Sequence, residues 1–305
     1  MTDWPIVAVR FALYADLMLL FGLGAFPLYA LPPEGSRAIP LRATAIVGAL
    51  AGIALSVVLL LLLVAGMSGV TLAEIDRSSL DSVLFETAAG KAIIWREGFL
   101  ILLVIAGLLP RLSARIRAGC VAVLAAAALA TLAWGGHGAS AEGPEWALFL
   151  AADLGHLVAA GAWFGALIAF GCLLLPSDQG LGELAILHRA LDRFSLVGSL
   201  LVGTIVLTGV VNSWALVGFS NLSELPTTLY GQLLLVKLAL FGAMLALAAS
   251  NRFRLTPALG TAMVIQHPAK ALTELRISLA FETSAAVLIV GLVSWLGTLA
   301  PISQV

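Results

Sequence analysis

Eight runs of twenty or more mostly apolar residues follow one another along this chain with little between them. A helix needs about 20 residues to cross the hydrocarbon core of a bilayer, and the runs fall near 6–31, 43–68, 91–110, 117–136, 145–175, 193–217, 230–250 and 275–300. They are continuous and rich in Leu and Ala, without the ten-residue alternation of an outer-membrane barrel strand. The expectation is therefore an all-α, polytopic bundle of eight membrane-spanning helices forming a single domain, 1–305. Composition agrees: 61% of residues are hydrophobic, 11% are charged and the mean hydropathy is +1.07, too little polar surface to cover a soluble globule. A net charge of -1 with no basic cluster leaves no footprint for nucleic acid. The bilayer is the partner this composition requires. The first run follows Met-Thr-Asp-Trp-Pro, not a basic stretch, and is too long for a signal-peptide core, so it reads as an uncleaved helix.

Orientation follows from the basic residues of alternate loops. One set holds Arg37, Arg42, Arg111, Arg115, Arg117, Arg189, Arg193, Arg252, Arg254, Lys270 and Arg276, whereas the other holds only Arg77 and Lys91. That asymmetry puts both termini outside the cytoplasm. The outer loop at 69–90 carries Glu74, Asp76, Asp81 and Glu86 against Arg77, enough for a short amphipathic helix on the outer surface. No linker, composition shift or convincing internal repeat divides the chain.

Ionisable residues at membrane depth are costly, and each needs a partner or a function. The run at 145–175 carries two, Asp153 and His156. Three residues apart, they share a helix face that continues through Ala160 to Trp163. Gly161 and Gly165 on the same helix form a small-xxx-small pair suited to close approach of another backbone. Arg10, Asp16, Arg96, Glu97, Asn212 and Lys237 fall in the outer half or near the midplane, and Glu282 in the inner half. This one-sided collection points to a polar cavity open to the outer face, or to ion pairs locking helices together. On either reading Arg10 and Arg96 are expected to meet an acid or a backbone carbonyl. His137 lies at the outer end of the fourth run, about 18 Å along the bundle from His156 at 1.5 Å per residue. The two imidazoles share an ion only if the glycines beside His137 let the chain dip; otherwise they are two steps on one path. Cys120 and Cys172, at the cytoplasmic ends of the same pair of runs, are soft ligands suited to Cu(I) or simply small apolar side chains. The chain has no G-x-S-x-G, H-E-x-x-H or Walker glycine loop, so neither catalysis nor nucleotide binding is expected.

Several stretches carry a family resemblance. They include Arg10 with Gly22 to Phe26, Thr87-x-x-Gly90 with Trp95-Arg96, Gly136-His137, and Asp153-Leu-Gly-His156 running on to Trp163-Phe-Gly165. Arg193-Phe-Ser195, Thr208-Gly209, Tyr230-Gly231 with Lys237, Asn251-Arg252-Phe253, Glu282 and Leu296-Gly297-Thr298 to Pro301 continue the set in order. In these residues the chain resembles the copper resistance D (CopD-type) integral membrane proteins over most of its length. The resemblance implies a multi-pass protein of the bacterial inner membrane that moves copper from periplasm toward cytoplasm alongside periplasmic copper carriers. Carried onto this sequence, it implies His137 and His156 as contacts for Cu(I) or Cu(II), with Asp153 orienting the imidazole or joining the shell. Two other classes fit the same residues: a b-type haem electron-transfer protein with the two histidines as axial ligands, and a non-transporting factor that hands copper to an oxidase.

Overall fold

The computed structural model describes residues 3–32, 35, 39–135, 145–175 and 180–304. Among these there are helices and no strands. The helices are α1 (Trp4–Tyr29), α2 (Leu41–Ser68), α3 (Arg77–Glu86), α4 (Ala88–Leu108), α5 (Ala114–Ala130), α6 (Trp146–Leu174), α7 (Leu181–Val217), α8 (Leu229–Ser250), α9 (Thr256–Val264) and α10 (Ala269–Leu296). A π-helical turn, Asn251–Leu255, joins α8 to α9 so that the two run on as one rod. Seven helical stretches are long and apolar enough to cross a membrane, which makes this a multi-pass membrane protein. The eighth expected span corresponds to α4, which has 21 residues but carries Lys91, Arg96 and Glu97 and so falls outside that apolar set.

The expected amphipathic helix in the outer loop is α3, and Asp76 caps it by accepting from the Ser79 N–H at 2.8 Å. Just before it, the Thr71 N–H and hydroxyl donate to Glu74 and hold that carboxyl below the usual carboxylate range. The largest displacement of a boundary is about three turns. The run placed at 193–217 begins at Leu181, because Leu184, Leu187, Ala190 and Leu191 recur at helical spacing and are all buried. Glu183, Arg189, Asp192 and Arg193 on the opposite face conceal that continuity from a hydropathy reading.

α1 is the central strut, packing against α2, α5, α6 and α10. It lies between α5 and α6, which touch each other only lightly. The fourth and fifth runs, consecutive in sequence, thus each pack mainly on α1 and not on one another. Glycine explains why α1 can occupy the gap. A Cβ on Gly22 would stand 2.6 Å from the Gly161 carbonyl oxygen, and one on Gly165 would fall on the Gly22 backbone, so α1 and α6 cross main chain to main chain.

Two arginines, Arg117 buried and Arg276 half-buried, close helix ends on the side away from the tryptophans. Arg117 Nη1 donates to the Ala106 and Gly107 carbonyls at 3.0 and 3.2 Å, and its Nη2 donates to the Leu109 carbonyl at 2.9 Å, satisfying the last turn of α4. Arg276 does the same for α6, with Nε and Nη2 on the Leu174 carbonyl at 3.1 and 2.9 Å. A cation there also complements the negative end of the helix dipole. Trp4, Trp134, Trp146, Trp214 and Trp295 all sit at the opposite ends of their helices, and the Trp4 and Trp295 rings lie 5.1 Å apart.

Candidate functional site

The site is built on α6. Asp153 and His156 sit three residues apart in the half nearer its Trp146 end, both partly buried. α7 closes over them because small residues let it: a Cβ on Gly209 would be 3.7 Å from His156 Cε1, and one on Gly155 would be 3.3 Å from the Thr208 methyl. Across this contact His156 Nδ1 lies 3.0 Å from Thr208 Oγ1. The Thr208 hydroxyl donates its proton to the Thr204 carbonyl at 2.6 Å, as a helical threonine does. Its oxygen is therefore the acceptor toward the ring, which places the imidazole proton on Nδ1 and leaves the Nε2 lone pair as the coordinating atom. Asp153 is expected to orient the imidazole or to join a metal shell; the partner seen on Nδ1 is Thr208. Two side chains three residues apart on one helix project side by side, so the partner for Nδ1 comes from the facing helix. Thr208 was missed because a threonine mid-helix gives no sequence signal beyond its usual back-bond to the preceding turn.

Lys237, on α8, acts electrostatically on both Asp153 and His156 without closing to an ion pair with the carboxylate. Asn212, one turn beyond Thr208 on α7, makes no hydrogen bond among the described residues. Tyr14, buried on α1, lies within electrostatic reach of Arg10, Arg96 and Asp153 and so joins α1, α4 and α6. A phenol inside an apolar run reads as core, and nothing in the sequence singles it out.

Arg10 and Arg96 find partners other than the expected acids or backbone carbonyls. Arg96, 3% exposed, donates from Nε to Thr131 Oγ1 at 2.8 Å and from Nη1 to Ser56 Oγ at 3.5 Å. Its hydrogen-bond partners are hydroxyls, with Glu97 supplying charge from the next position. Arg10 lies over the Tyr14 ring, its Cζ 5.8 Å from the centroid, and against Gly297. Its Nε has no hydrogen-bond partner among the described residues. Asp16 faces α2, where Gly48 and Gly52 leave room for its carboxylate.

Deeper on the same face of α6, Trp163 Nε1 donates to Glu282 Oε1 at 2.9 Å, and Asn251 Nδ2 donates to Oε2 at 2.9 Å. Trp163 and Glu282 thus belong to one cluster, below His156. His137 lies outside the described residues. Cys120 on α5 and Cys172 on α6 are both free and partly buried, on helices held apart by α1. Among the described residues no three His, Cys, Asp or Glu side chains converge as a metal cage. What the site offers is one imidazole nitrogen beside a carboxylate.

Comparison with known proteins gives the family. Residues 1–148 match "Copper resistance protein D-like, N-terminal domain" and residues 188–296 match "Copper resistance protein D". The chain is 41% identical to "Copper resistance protein D" of Pseudomonas syringae pv. tomato, over 99% of this chain and 98% of that one. It is 28% identical to "Inner membrane protein YebZ" of Escherichia coli (strain K12), over 82% and 84%, respectively. It is 27% identical to "Copper transport protein CutJ" of Bacillus subtilis (strain 168), over 79% of this chain and 45% of that one. No solved structure matches the chain. The matches to both family descriptions and the full-length likeness lead to one conclusion: the chain belongs to the copper resistance protein D family.

Proposed function

We propose that this protein carries copper ions through a bacterial inner membrane, from the outer side toward the cytoplasm, by way of Asp153 and His156. One observation carries the reading: a membrane-embedded imidazole meets Thr208 through Nδ1, three residues along α6 from a carboxylate, and with its proton on Nδ1 the ring keeps Nε2 for a metal ion. An imidazole binds Cu(I) or Cu(II) through a deprotonated nitrogen, and the hydrogen bond on the other nitrogen selects which one. The carboxylate lowers the cost of bringing a cation out of water. The names of the relatives point the same way, two to copper and one to the inner membrane. His137 is the natural second ligand nearer the outer surface, and a periplasmic copper carrier the natural donor. The role is transport without catalysis, driven by gradients or by trapping, since the sequence offers no nucleotide site.

In this reading α4 is the eighth span. Its 21 residues extend about 31 Å at 1.5 Å per residue. It packs between α2 and α5, its Arg96 is turned inward onto hydroxyls, and Lys91 stands in its first turn where it can reach the interface. Both termini then lie in the periplasm. The tryptophan-bearing ends form the outer aromatic belt, and the arginine-capped ends face the cytoplasm. A topology reporter fused after Val305 is expected to be active only in the periplasm; activity confined to the cytoplasm would reverse the orientation.

Metal analysis of the detergent-purified protein together with its optical spectrum tests the chemistry. The expected result is bound copper and no haem bands. A Soret band with a sharp α band on reduction would establish the haem alternative instead. Copper binding without accumulation in liposomes, accompanied by lowered oxidase activity in a deletion strain, would establish the assembly factor.

A further inference from the structure

Glu282 lies in the middle of α10 and is 2% exposed, yet among the described residues no cation pairs with it. Its two oxygens accept from neutral donors, Trp163 Nε1 on α6 and Asn251 Nδ2 on the π turn. The charged groups on every element packed against α10 point elsewhere. Arg10 of α1 rests on Gly297, about 22 Å along α10 from Glu282. Asp16 faces α2, and Lys237 of α8 acts on Asp153. α6 offers Trp163 at this depth, with its own charges, Asp153 and His156, about 10 Å or more further out. The π turn carries Arg252 and Arg254, both exposed, and Arg252 bonds Ser199. α9 has no titratable residue, and on α10 itself Arg276 holds the Leu174 carbonyl while Glu274 pairs with Lys270 at the surface.

Two further buried polar atoms on these elements have no partner among the described residues: Asn251 Oδ1, on the amide that meets the carboxylate, and Ser278 Oγ, four residues before Glu282 on α10, each residue 8% exposed. Ser278 lies one turn from Glu282 toward the arginine-capped end. An anion in such a place is costly, and a proton removes the cost. The amide beside it can serve either form. With the carboxylate ionised, Nδ2 donates to Oε2 as observed. With the acid protonated on Oε2, a half-turn of the amide presents Oδ1, the atom now without a partner, as acceptor. π turns recur where a helix carries function at the expense of regular bonding, and this one begins at Asn251.

We propose that Glu282 is a proton-binding site that takes up or releases one proton as a copper ion binds at His156, with Asn251 turning its amide to match and Ser278 leading the proton toward the cytoplasmic end. This rests on the copper reading above. The coupling element is α6, a single rigid helix that carries His156 and, two turns deeper, Trp163 on Glu282. No electron moves: the step is carboxylate plus proton to carboxylic acid, and the reverse.

Infrared difference spectroscopy of the full-length protein in liposomes, with and without added copper, tests it alongside direct copper analysis of the same samples. The parent is expected to bind copper and to show a change in a protonated-carboxyl stretch. Glu282→Gln is expected to keep copper binding within about twofold and to lose that band. Asn251→Ala, which removes the adaptable partner, is expected to shift the band rather than delete it. If the parent binds copper and the carboxyl region is silent, or the band survives in Glu282→Gln, this proposal is wrong and the copper reading stands. If the parent binds no copper, the copper reading fails and takes the proposal with it.

Discussion

Replacing His156 by alanine is expected to abolish copper accumulation while the protein still inserts and folds. The imidazole is held by the contact with Thr208, by the Ile205 backbone and by the close pass of Gly209, so its removal leaves a small space at a partly buried position and creates no buried charge. Losing a polar group from the membrane does not hinder insertion. Metal affinity should fall by more than the 10–100-fold, roughly, that follows loss of an outer hydrogen-bond partner, because here the ligating atom itself is gone. Two companion variants set the scale. Thr208→Val removes the acceptor for Nδ1–H and frees the ring to take either tautomer, so it should cost about 10–100-fold while Nε2 remains available. Asp153→Asn keeps an oxygen in place and removes the charge, and should weaken uptake without ending it. Copper binding titrated on purified protein measures all three, with thermal unfolding in detergent as the control. A His156→Ala protein that binds and moves copper like the parent would place the metal path elsewhere.

The limits of reading this chain from residues alone are visible in the same site. α6 was legible: an acid and an imidazole at i, i+3 within an apolar run have one face to share, and two glycines at i, i+4 announce a close crossing. What crosses there was not, because an α1 wedged between α5 and α6 is a long-range choice that no local pattern records. Partners made of hydroxyls were equally hidden. Ser56, Thr131 and Thr208 look like tolerated polar residues, and each acquires meaning only when Arg96 or His156 is seen to point at it. Expecting acids or backbone carbonyls for the arginines passes over hydroxyls, whereas inside this bundle Arg96 is met by the Thr131 and Ser56 hydroxyls with the Glu97 charge alongside.

One correspondence surfaces only with the caps on view. Thr87 and Thr228 each cap a helix by accepting from a glycine three residues on, at 2.9 and 3.2 Å. Nine residues after each threonine comes a cation, the buried Arg96 on α4 and the half-buried Lys237 on α8. The spans around these two stretches differ too much in sequence for the match to register as a repeat. Even so, the shared geometry sets each cation at the same depth from its cap.

The crossing of α1 and α6 yields the largest structural effect. At Gly165 an added methyl would land on the Gly22 backbone, and at Gly22 on the Gly165 backbone, so neither side has a side chain that can swing away. The only relief is to separate two helices that hold the centre of the bundle. Overpacking of an ordinary core costs about 1–3 kcal/mol where side chains can adjust; here the cost should lie at or above the top of that range for Gly165→Ala, and Gly165→Leu should leave no folded protein to purify. Gly161, one turn away, is a milder case. Its added methyl would meet the Leu129, Phe21 and Met18 side chains at 2.9, 3.1 and 3.5 Å, groups that can yield. Gly171, further along the same helix, has nothing within 4 Å of that position. There the better helix propensity of alanine, worth up to about 1 kcal/mol, is unopposed. Thermal unfolding in detergent should therefore rank the alanine variants Gly171 at or above the parent, Gly161 below it and Gly165 far below. If Gly165→Ala unfolds with Gly171→Ala, α1 does not seat against α6 through these glycines, and the frame that positions Asp153 and His156 must be drawn differently.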